Sequence, residues 1–360
     1  MIVSIEKTNS RLGLIQNIPK KFFSLLEESQ DFGDHLFPNW AIDVFAPTDL
    51  KNKFEEIFNI YKAINNSNSR SRIIEAFTNT NKIEDLCNNN LGVPMIIITD
   101  LPLTIRGSLD RLFSYLYNTA INYHGFQTYV DDTLRKTIDR FIIKNKVVVC
   151  PFCGLESFIN IEGQARLSLD HWLCKDFFPM ASVNLNNLVP IGQGCNQRPA
   201  KGNKNILVNE INNSRLNKSY YPYSLHGGFK VIFNFINEPN GNDLKDDDWS
   251  LIIGAIDPLE DDIFQNWNSI MNIEIRYNDY FKKDVFPLWE SDYKEHILDP
   301  DNDLNHAQNI TELKSNFKNW KSTFKIKGRP GALIYRAFID YLIERASDAY
   351  LHGLLRNLRV

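Results

Sequence analysis

Four of the chain's five cysteines, Cys150, Cys153, Cys174 and Cys195, fall within fewer than fifty residues of a 360-residue sequence. The stretch reads CPFCGLESFINIEGQARLSLDHWLCKDFFPMASVNLNNLVPIGQGCNQRPAKGNK, residues 150–204. What such a cluster means depends on the compartment. The N-terminus, MIVSIEKTNS, has no basic region followed by an apolar stretch, so no signal peptide is expected. No run approaches the ~18 apolar residues that span a bilayer. The expected compartment is the cytosol, where clustered cysteines point to metal binding rather than to disulfides.

In Cys150-Pro-Phe-Cys153-Gly, the proline and glycine bend the backbone so that two thiolates can face one metal ion. Structural zinc normally takes four ligands. Cys195 is the natural third. A second CxxC would need a cysteine where Gly192 stands, which leaves Cys174 as a fourth if its loop folds back. The competing reading is that these cysteines pack as small hydrophobic side chains. Cys87 stands apart and reads as an ordinary buried thiol.

The segment RLSLDHWL alternates apolar and polar residues and predicts a strand ending at Asp170-His171. Asn187 follows in NLNNLVP, and Asn196 follows directly after Cys195. Asp170 and Asn196 each offer an oxygen to a hard divalent cation such as Mg²⁺ or Mn²⁺. His171 can be neutral at pH 7 and take a proton from water. A cation beside a general base is what phosphodiester hydrolysis needs. Arg198, Lys201 and Lys204 are expected beside a phosphate backbone. The net charge of −4 argues mildly against a nucleic-acid partner. However, Arg135 to Lys218 carries 12 Lys/Arg against 6 Asp/Glu, a basic segment in an otherwise acidic chain.

Taken in order, the CxxC knuckle, Asp170-His171, Asn187 before Leu-Val-Pro, and Cys195-Asn196 resemble an HNH endonuclease domain, the ββα-metal fold. The resemblance covers residues 150–204 only. It implies that His171 is the general base, that Asp170 and Asn196 ligate the catalytic Mg²⁺-type ion, and that Asn187 ties the hairpin loop together. It also implies that Cys195-Asn196 opens a helix. DNA is the substrate expected from the resemblance. One such site cuts one strand, so double-strand cleavage would need a dimer, two successive nicks or a partner. An effector of bacterial defence against phage, or part of a mobile element, is one role this architecture suggests. The alternative of another class is a zinc-stabilised nucleic-acid-binding module without catalysis; a decayed nuclease domain in an interaction protein is a third.

The whole is expected to be α+β in three parts: a mainly helical region 1–146, the HNH domain 147–215, and a mixed, helix-rich region 216–360. TDLKNKFEEIFNIYKAI, SLDRLFSYLYNTAINY from Ser108 and VDDTLRKTIDRFIIKNK predict helices, and GVPMIIITDL predicts a buried strand. FKVIFNFI and WSLIIGAI predict strands around an Asn-Gly turn in NEPNGNDLKDDD. The sequence from Gly331 predicts one long amphipathic helix or a helical pair. The acidic run near Asp246 reads as a solvated turn, and GRPG around Pro330 as a loop. His35, His124, His226, His296, His306 and His352 stand in no catalytic context and read as structural or surface residues.

Overall fold

The computed structural model describes residues 5–158, 160–161, 164–165, 168–209, 211–224, 228–239, 244–302 and 304–358. The chain is α+β and divides into two units. One comprises Ile5–Lys146 and Asn160–Ser224; the other comprises Met1–Ser4, Val147–Ile159 and Leu225–Val360. The stretch 147–215 is therefore not a unit of its own: its first residues, with the CxxC knuckle, belong with the C-terminal region. No helix among the described residues is long and apolar enough to cross a membrane.

The first unit is built on helices α1 (Asn17–Leu25), α2 (Asn39–Phe45), α3 (Leu50–Ala63), α4 (Ser67–Thr80), α5 (Ile83–Cys87), α6 (Leu103–Tyr115), α7 (His124–Val130) and α8 (Leu134–Asn145). In α3, Leu50, Phe54, Ile57, Phe58 and Tyr61 recur at helical spacing and are all buried, as their periodicity requires. Phe22, Phe23, Phe54, Phe77 and Phe113 meet at the centre, with Phe23 and Phe77 stacked at 4.4 Å. Thr133 starts α8 by accepting from the amide of Lys136 at 3.1 Å. GVPMIIITDL forms no strand; it runs from a turn to a 3₁₀ turn at Ile98–Asp100. Pro94 cannot donate to a ladder and no strand among the described residues pairs with this segment, so it buries Val93 and Ile96 as irregular chain. The helix expected from Ser108 starts five residues earlier, at Leu103 after Pro102.

Among the described residues, four short strands complete this unit: β1 (Asn160–Ile161), β2 (Gln164–Ala165), β3 (Ser168–His171) and β4 (Leu188–Ile191). β1 pairs with β2, and β3 pairs antiparallel with β4, setting His171 opposite Leu188 and Asp170 opposite Val189. Leu169 and Leu188 pack with Ile138 of α8, which fixes this hairpin on the helical layer. The chain between β3 and β4 inserts Met180 and Val183 into the main helical core.

In the second unit, β5 (Phe229–Phe235) and β6 (Trp249–Ala255) form an antiparallel pair. The Asn-Gly turn expected between them, Asn240-Gly241, lies outside the described residues, as does His226. Helices α9 (Asp261–Met271), α10 (Ile273–Tyr280), α11 (Trp289–Leu298), α12 (Ile310–Thr323), α13 (Ala332–Glu344) and α14 (Asp348–Asn357) follow. The last two are the helical pair, broken at Ser347, which caps α14 through the amide of Tyr350. Phe233 is fully buried against Phe281, Phe338 and Trp249.

The knuckle is bonded into this second unit. The amides of Cys150 and Gly154 donate to the carbonyls of Glu156 and Cys150, both at 2.8 Å, and Gly154 takes the left-handed φ of 64° that the turn needs. Tyr277 Oη donates to the Cys153 carbonyl, and Arg276 pairs with Glu156 at 2.9 Å.

Candidate functional site

The hairpin β3–β4 is interrupted by a long excursion, residues 172–187, and Asn187 closes it. This side chain is fully buried. Its Oδ1 accepts from the amide of Leu173 at 2.6 Å, and its Nδ2 donates to the carbonyls of Leu173 (3.1 Å) and Ala181 (3.3 Å). Its own carbonyl accepts from Trp172 N–H at 2.7 Å. Only an amide supplies an acceptor and two donors at one side-chain terminus, so Asn187 fits this position by chemistry. Ser182 Oγ, which donates to the Phe113 carbonyl, and Asn81 Nδ2, which donates to the Met180 carbonyl, tie the excursion to the helices.

That clamp places Ser182 against His171. His171 Nε2 donates to the Ser182 carbonyl at 3.0 Å. A carbonyl only accepts, so Nε2 carries the proton and Nδ1 keeps its lone pair. The ring is buried and meets the edge of Tyr117 at 4.2 Å between centroids. Tyr117 sits on the π-helical turn Leu116–Ala120 that extends α6, and its hydroxyl donates to the Leu169 carbonyl at 2.9 Å. Burial pushes the His171 imidazolium down to about 4; the bond to Ser182 opposes this, and the charges of Lys201 and Lys175 add to it. The imidazole is neutral at pH 7 and can accept a proton at Nδ1. Burial and the Asp170 charge push the Tyr117 hydroxyl up to about 12, so it stays protonated.

Asp170 is also buried, and its carboxylate is already engaged: Oδ2 lies 2.7 Å from Lys201 Nζ. Burial raises the Asp170 carboxyl above the usual carboxylate range, and Lys201 acts against that rise. Lys201 is expected beside a phosphate backbone, but its side chain is fully buried. Lys204 is buried too. Of the three expected phosphate contacts only Arg198 is exposed, with its Nε donating to Asn203 at 3.1 Å.

Asn196 is half-buried, and its amide bonds the carbonyls of Gly192 and Gln193. The helix expected to start here is absent among the described residues, since 192–208 runs through turns and bends. Pro199 has no N–H for a helical bond and disfavours helical backbone at Arg198. Gly202, at φ 46°, then reverses the chain. The loop closes through Lys201 N–H to the Cys195 carbonyl at 3.1 Å.

A divalent ion shared by Asp170 and Asn196 does not fit this arrangement. At hard-cation bond lengths an ion on Asp170 Oδ2 would lie within about 5 Å of the Lys201 ammonium. Like charges that close repel by several kcal/mol in a buried setting.

The knuckle thiols of Cys150 and Cys153 are buried in the second unit, and Cys195 is buried in the first. The Leu155 amide donates to Cys153 Sγ at 3.4 Å. Cys174 is buried as well, and burial raises its thiol. Cys87 is fully buried, as its isolation suggested.

No protein-family model, curated protein or solved structure matches this chain.

Two predictions follow from the clamp and the buried ring. Asn187→Ala orphans the amide and carbonyls it holds and is expected to cost about 3 kcal/mol in urea unfolding. Because the folded His171 resists protonation and the unfolded one does not, stability falls as pH drops from about 6.5 to about 4. It should lose up to ~3 kcal/mol and then level off. Asp170 works in the opposite direction over overlapping pH, so the decisive comparison is His171→Gln. Denaturation curves across that range should show a shallower fall for the variant than for the wild type.

Proposed function

We propose that the chain is an HNH-type endonuclease that hydrolyses phosphodiester bonds in nucleic acid, with DNA the expected substrate. The observation that carries this reading is the state of His171. It is a neutral imidazole with Nε2 committed to a backbone carbonyl and Nδ1 left as the base, held at the end of a strand by an asparagine-clamped loop. In the reaction, Nδ1 would take the proton of the attacking water, and the Ser182 carbonyl would stabilise the imidazolium that forms. Arg198, exposed on the neighbouring loop, would meet a phosphate of the bound strand. The order Asp170-His171, Asn187, Cys195-Asn196 behind a cysteine knuckle supports the family reading.

A second reading has its own support. The buried thiols of the Cys150–Cys153 knuckle and the Asp170–Lys201 pair suit a zinc-stabilised nucleic-acid-binding module that does no chemistry.

Nicking of supercoiled plasmid by purified wild-type and His171→Ala protein separates the two, with Mg²⁺, Mn²⁺ or EDTA present. The nuclease reading expects wild-type cleavage and a loss of at least a hundredfold in His171→Ala, with plasmid binding retained. Equal cleavage by both proteins would sink it. Binding without cleavage by the wild type under every condition would favour the module.

A further inference from the structure

Lys201 is a charged residue with no access to solvent, and its ammonium is used entirely within the site. Nζ forms an ion pair with Asp170 Oδ2 at 2.7 Å and donates to the carbonyl of His171 at 2.7 Å. It also lies 5.8 Å from the centre of the Trp172 ring, within range of a cation–π contact. Lysine is rarely buried this deeply unless a paired charge compensates the lost hydration. The three partners come from consecutive residues at the end of β3. The ammonium is thus bound much as an ion would be, by a carboxylate oxygen, a backbone carbonyl and an aromatic face.

The backbone delivers it there. The Lys201 amide closes a loop on the Cys195 carbonyl, and the Lys204 amide closes a turn on the Lys201 carbonyl at 3.0 Å. Gly202 makes this tight return feasible, since a Cβ there would meet the backbone nitrogen of Arg198 at 3.1 Å. A flexible surface lysine needs no such backing.

From this we infer that Lys201 is the resident cation of the site, and that it and a divalent metal ion exclude one another at Asp170. This rests on the nuclease reading only for the expectation of a metal at Asp170; the exclusion itself concerns charge and space. A metal ion reaching Asp170 would have to displace Lys201 into solvent. Lys201 thereby acts as a positioning residue, holding Asp170 and the His171 backbone while keeping the carboxylate closed to free metal.

The test reads Mn²⁺ binding by electron paramagnetic resonance, not cleavage, so its result stands whether or not the protein cuts DNA. Wild type, Lys201→Met, and the double variant Asp170→Asn/Lys201→Met are titrated. The double variant removes both charges together and is the folded control. Wild type and the double variant should titrate alike, because Asp170 is closed in one and neutral in the other. Lys201→Met should bind at least one Mn²⁺ tenfold more tightly than the double variant. If the wild type already binds Mn²⁺ tenfold more tightly than the double variant, Asp170 is open to metal and the inference is overturned. Equal binding by a folded Lys201→Met and the double variant overturns it as well. Should Lys201→Met fail to fold, the comparison of wild type with the double variant decides alone.

Discussion

The buried amide of Asn187 is what the rest of the site depends on. An excursion of sixteen residues separates β3 from β4, and a loop of that length pays a substantial entropy for order. Asn187 binds its two ends to each other and to its middle, through Leu173 and Ala181. Once the loop is fixed, Ser182 sits where its carbonyl accepts a hydrogen bond from His171 Nε2–H, and the imidazole is left with one defined tautomer. Without the clamp, neither ring nitrogen would have an assigned role.

Around that clamp, the site is built by burying polar groups in pairs. His171 is buried but neutral and bonded. Asp170 is buried but opposite Lys201. Such pairs add little net stability, because desolvation offsets most of their attraction, yet breaking one leaves a stranded charge. Their effect here is geometric. They hold three consecutive residues, Asp170, His171 and Trp172, in one arrangement against a lysine thirty positions away.

Several elements were legible in the chain itself. The helix at Leu50–Ala63 and the strand ending at Asp170-His171 follow from apolar spacing, which reports which face must be buried. The closing role of Asn187 was implied by the family resemblance, and the hydrogen bonds of its amide agree with it. Other expectations failed for local reasons. GVPMIIITDL is apolar enough for a strand, but no strand among the described residues pairs with it. The chain after Cys195 carries proline and a left-handed glycine and does not become a helix. The burial of Lys201 had no sequence signal, because a lysine in a basic loop looks the same whether it faces phosphate or a carboxylate.

The sequence by itself determined which side chains could do chemistry and in what order they occur: the cysteine knuckle, Asp170-His171, Asn187 and Asn196. It did so because strand and helix periodicity and donor type are local properties, readable from a few neighbouring residues. Tertiary structure alone decided what each of these groups faces. Tyr117 comes to His171 from a helix more than fifty residues upstream, and Lys201 comes to Asp170 from a loop thirty residues downstream. The knuckle joins the C-terminal unit rather than forming a domain with the rest of its segment. Long-range partners are set by how whole elements pack, and the charge state and availability of a buried group follow from those partners.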